Sequence, residues 1–112
     1  MFTPYEKETA RSEAASVASA VLSGSLGPID GCIALHRLSN ALVANWAADE
    51  DFIVFGVVAS ETDHLPFGDV RNKWSSEALS RADSEIEDIE NTFRDRILAA
   101  CKNVISRYAA SN

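Results

Sequence analysis

The densest run of polar, reactive side chains in this chain is Ser60, Glu61, Thr62, Asp63 and His64. A carboxylate beside an imidazole can exchange protons with a substrate or help to hold a metal. Both tasks need further groups brought in by the fold, and no spacing around this run supplies them. Its plainer reading is a helix end, with Thr62 and Asp63 satisfying backbone groups. A hydrolase using Glu61, Asp63 and His64 is therefore kept as an alternative.

Other chemical signatures are weaker. Cys32 and His36 lie four apart on one helix face, which is half of a zinc site. The chain has two cysteines and two histidines in all and no CxxC or HxxxH pair, so the expectation is no metal. It contains no GxSxG, GxxxxGK[ST] or GxGxxG segment, so neither a nucleophile elbow nor a phosphate cradle is expected, and no cofactor. Ten cations against 17 carboxylates give a net charge of −7 over 112 residues. Nucleic acid and anionic membrane repel such a chain, whereas a basic protein is drawn to it.

The carboxylates Glu85, Asp88 and Asp95 fall away from the apolar stripe of the last helical segment. They form a solvated face that can also dock a basic partner. Arg71 and Trp74, three apart, make either an interaction hot spot or, as the favoured reading, a buried Trp anchor beneath a loop. Glu61, Asp63, His64, Arg71, Glu85, Asp88 and Asp95 are thus the candidate partner-binding residues.

Four helices position these groups. Thr3 and Glu6 form a capping box with Pro4 at the first helical position, predicting a helix over Pro4–Ser23 that stops at Gly24. Its core stripe is Ala14, Val17, Ala18, Val21 and Leu22. Pro28 opens a second helix to about Ala47, with Leu35, Leu38, Leu42 and Trp46 on one arc.

Residues Phe52–Ala59 are rich in Val, Ile and Phe and read locally as a strand. No partner strand exists in the chain, and an unpaired buried strand leaves its amides and carbonyls without partners. A short buried third helix over Asp51–Thr62 is therefore preferred, with Gly56 admitting another helix. The alternative is an α+β fold in which 52–59 pairs with a second copy. Asp63–Lys73 is an ordered loop.

From the Trp74–Ser76 region, Leu79, Ala82, Ile86, Ile89, Phe93, Ile97, Ala100, Val104 and Tyr108 recur at helical spacing almost to the C-terminus. Ser84 with Glu87 offers a second capping box, so a break near Asp83 is possible. The tail 109–112 reads as disordered.

The fold expected is one compact all-α domain of four helices over residues 1–112. Its core holds Val17, Val21, Leu35, Leu42, Phe52, Phe55, Ile86, Ile89, Phe93, Ile97 and Val104. Two cysteines inside apolar helical patterns suit a reducing compartment. Without a signal-peptide core in the first residues, the expectation is cytoplasmic.

The stretch Ser60-Glu61-Thr62-Asp63-His64-Leu65-Pro66, with Gly68, Arg71 and Trp74, resembles a segment of small acidic bacterial proteins of unknown function. That resemblance covers the second half of the chain. It implies a compact bacterial domain and carries no activity and no site residue.

Size, acidity and the lack of catalytic motifs rank a non-enzymatic protein-binding module first. Its specific form is a toxin-neutralising, immunity-type protein whose partner is a basic toxin domain. A structural homodimer is a third possibility.

Overall fold

The structure, a computed structural model, describes residues 1–108. The expectation of disorder for 109–112 lies outside the described residues. Four α-helices make the fold: α1 (Pro4–Ser23), α2 (Pro28–Leu42), α3 (Ile53–Glu61) and α4 (Ser76–Tyr108). Short 3-10 turns, Trp46–Ala48 and Gly68–Lys73, precede α3 and α4, and there is no strand among the described residues. The chain is all-α, as the amide accounting required.

The capping box of α1 forms: Thr3 Oγ1 accepts the Glu6 N–H, and Glu6 Oε1 accepts the Thr3 N–H at 2.8 Å. Gly24 ends the helix in the left-handed conformation at φ 84°, which only glycine adopts without strain. Alanines at 10, 14, 15 and 18 are buried and let α1 lie close to its neighbours. Leu22, expected in that stripe, is exposed.

Helix α2 stops five residues earlier than its apolar arc suggests. Val43 turns extended (φ −134°, ψ 152°), and the Asn45 side chain accepts the Ala47 N–H at 3.1 Å. Asn competes well with a helix for backbone partners, and here it starts a separate turn. The turn folds Trp46 back, so that its indole meets the His36 ring edge-on, centroids 4.7 Å apart. The same indole lies over Gly56, where any Cβ would overlap its ring atoms. Gly56 thus admits a tryptophan side chain, not another helix.

Helix α3 is short, and Val54, Phe55, Gly56 and Val58 on it are buried. Its β-branched residues favour a strand locally, but a helix pairs its backbone groups internally, and tertiary burial overrides propensity. Thr62, itself buried, finishes the helix by donating its hydroxyl to the Val58 carbonyl at 2.8 Å.

Helix α4 is continuous. Ser75 Oγ accepts the Ala78 N–H at 3.1 Å and caps it. The Ser84–Glu87 pattern makes no break, because no Gly or Pro interrupts 76–108 and the amides of 84–87 lie inside the helix, past the first turn where a cap is needed. At about 1.5 Å per residue, 33 residues span about 50 Å, matching the 48 Å long axis of the molecule. The 20 residues of α1 cover about 30 Å of that.

Full burial on α4 therefore gathers at Ile97, Ala100, Cys101 and Val104, with Ala82 alone toward the other end. Ile86, Ile89 and Phe93 pack on the core but stay half-exposed, as do Val17 and Leu42. The fully enclosed centre is Ile29, Leu35, Phe52, Phe55, Val58, Ile97 and Val104, with Cys32 and Cys101. Among the described residues no helix is long and apolar enough to cross a membrane.

Candidate functional site

The polar run after α3 is held at two points. His64 Nε2 and Glu85 Oε2 are 2.7 Å apart. Arg71 grips Asp83 with both guanidinium ends, Nη1 to Oδ1 at 2.9 Å and Nη2 to Oδ2 at 3.0 Å, and also donates to the Pro66 carbonyl. Asp83 and Glu85 are two residues apart, so they project about 160° from one another around α4. The arc between them carries Ala82 and Ile86. The connecting segment therefore crosses the apolar stripe of α4 and is tied down on both flanks. Between the ties it buries Leu65 and Pro66 and half-buries Phe67.

Hydrogen bonding to Arg71 holds the Asp83 carboxyl below the usual carboxylate range and raises the Arg71 guanidinium in turn. Trp74, expected as a buried anchor, is 37% exposed at the end of the segment. Leu65 and Pro66 do the anchoring.

The candidate residues thus divide. His64, Arg71 and Glu85 are brought together as a strap across α4. Glu61 and Asp63 are exposed beside it and make no bond to the His64 ring among the described residues. Asp88 and Asp95 stand on the opposite face of α4 with Glu77. Steps of 11 and seven residues put all three within about 20° of one line. The three are exposed and have no cation partner among the described residues. Cys32 is fully buried in the core, and His36 is turned against Trp46.

A second polar cluster was not expected. Asp49 Oδ1 accepts the Asp51 and Phe52 N–H groups, closing the turn that enters α3. Arg107, in the last turn of α4, reaches Asp49 and Asp51, each at 3.0 Å, and Asn103 donates to Asp51 at 2.9 Å. Burial pushes the Asp49 carboxyl up, but the Arg107 hydrogen bond and the two amides outweigh it and hold it low. The cation that Asp49 meets lies 58 residues away in the chain. With α3 joined to the α4 C-terminus here, and its strap joined at 83–85, α3 runs antiparallel to α4.

Charge is uneven along α4. Residues 76–95 hold seven carboxylates against two arginines, whereas 96–108 hold three cations and no carboxylate. Both halves suit the helix dipole, which favours anions at the N-terminus and cations at the C-terminus. Among the described residues, no three His, Cys, Asp or Glu side chains gather as a metal site.

A family model described as a protein of unknown function, DUF2489, matches residues 5–104, and the chain belongs to that family. The match takes in all four helices, well beyond the Ser60–Trp74 segment. No curated protein and no solved structure matches the chain.

Proposed function

We propose that this family member is a non-enzymatic protein-binding module that docks a basic partner, in the manner of an immunity protein neutralising a toxin. The observation that carries the reading is the row Glu77, Asp88 and Asp95. These are three exposed carboxylates in line on the outer face of α4, each without a cation partner among the described residues. Carboxylates that stabilise the fold here have been given partners: Asp83 has Arg71, Glu85 has His64, and Asp49 has Arg107. The unpaired row contributes a long-range field that attracts and orients a cationic surface.

The test is a triple variant, Glu77→Lys, Asp88→Lys and Asp95→Lys. Each substitution moves the net charge by two, taking −7 to −1. A partner is first captured from the source cell at low salt and shown to bind saturably at a fixed stoichiometry. The variant should keep its helical spectrum, associate at least tenfold more slowly, and lose most of the salt dependence of that rate. Unchanged rate and salt dependence, or no saturable partner, rejects the reading.

A further inference from the structure

We infer that the outer ridge of α3 is a docking site for a basic amphipathic helix. This rests on the protein-binding reading above and names a second, apolar element of it. Ile53 and Val57 are 41% and 38% exposed, although α3 is the most apolar helix of the fold. They are one helical turn apart, so they form a single ridge, and Glu61 continues it by a further turn. Glu50 stands three residues ahead of Ile53, in a turn already closed by the Ile53 N–H to Asp49 carbonyl bond. Glu50 and Glu61 are both exposed and neither has a cation partner among the described residues.

The ridge is therefore two aliphatic side chains bracketed by two unpaired carboxylates. Charge decides what can cover it. A second copy of the chain is disfavoured in either two-fold arrangement. Antiparallel ridges place Glu50 against Glu61 of the copy, and parallel ridges place each glutamate against its own equivalent. Like charges juxtaposed across an interface oppose association. A helix with two aliphatic residues one turn apart and a Lys or Arg beyond each end satisfies both the apolar pair and the carboxylates.

The test uses the full chain and a synthetic helical peptide with leucines at i and i+4 and a lysine about one turn outside each. Amide chemical-shift changes should centre on residues 50–61. The exposed double variant Ile53→Gln and Val57→Gln, with its fold confirmed by circular dichroism, should weaken binding at least tenfold. Glu50→Lys with Glu61→Lys should abolish binding of that peptide and confer binding of its glutamate-bearing counterpart. The triple Lys variant of α4 should bind the peptide through 50–61 as before, so the ridge can fail while the α4 reading stands, and the reverse. Shifts centred on α4, no binding up to millimolar peptide, or a dimer of the free chain that the Gln variant dissolves would each overturn the assignment.

Discussion

Asp83 and Glu85, two residues apart on α4, hold opposite ends of one loop: Asp83 takes Arg71 at 2.9 Å and Glu85 takes His64 at 2.7 Å. A helix turns these neighbours to opposite flanks, so the loop between their partners must pass over the apolar stripe. Polar contacts this exposed contribute little on their own. Their role is register, while Leu65 and Pro66 beneath supply the burial.

The strap should follow that division. Leu65→Ala is expected to lower stability by about 2–3 kcal/mol, the low end for a buried leucine. His64→Ala and Arg71→Ala should barely move the urea midpoint. Equal losses for all three would mean that the ties, not the apolar contact, hold the segment.

Along α4, burial rather than side-chain size should rank the truncations. Ile97 is fully enclosed, and Ile97→Ala should cost roughly 2–5 kcal/mol. Phe93 is larger but half-exposed, with Arg96 lying over its ring. Phe93→Ala should cost less than Ile97→Ala in parallel urea titrations. The opposite order would place the centre of the core one turn nearer the N-terminus of α4.

Gly56→Ala should destabilise by about 1–3 kcal/mol, because its methyl group would occupy space taken by the Trp46 ring. Trp46→Leu alone should lose stability as well. Combined with Gly56→Ala it should lose less than the two losses added, since the smaller side chain leaves room for the methyl. Strict additivity would show that the indole does not press on Gly56.

Asp49 links stability to pH. Its carboxyl is held below its ordinary value of 3.8 in the folded chain. A group depressed on folding stabilises fully above that ordinary value, and the contribution is lost as pH falls through the folded value. Between pH 5 and pH 2 the wild type should lose more stability than Arg107→Gln, which has already surrendered the bond. Parallel curves for the two proteins would mean that the clasp carries no proton linkage.

Both thiols should be silent in the folded protein. Burial pushes Cys101 up to about 11 and raises Cys32 further, with Cys101 adding to that rise. The thiolate is the reactive form. Labelling by an aromatic disulfide reagent at pH 8 should proceed at the rate at which the core opens and should accelerate with urea. Immediate labelling of either cysteine would place it at the surface.

What could be read from the chain, and what could not, follows the reach of each signal. Thr3, Pro4 and Glu6 sit within one turn, and their capping box formed as read. The stripe from Leu79 to Tyr108 repeats often enough to define α4 without any partner. Helix α3 was accessible by asking where its amides could bond, against the local preference of Val54, Val57 and Val58.

The failures involve partners distant in the chain. Nothing local pairs Arg107 with Asp49, or His64 with Glu85, in a chain with 17 carboxylates to choose from. Trp46 continued the arc of α2 in sequence, yet an asparagine one residue earlier turned it back onto Gly56. Trp74 looked like an anchor from its type alone, and exposure depends on what the neighbouring loop covers.

The uneven charge of α4 also bears on how the molecule meets anything charged. One half of its longest helix is negative and the other positive, and that helix is the long axis of the whole particle. Such a charge arrangement adds a dipole to the net charge of −7, so a cationic surface would turn the chain as well as pull it. Facing such a surface, the 76–95 half of α4 would lead and the 96–108 half would trail. A cationic partner that recognised the leading end would then not have to wait for the molecule to tumble into place.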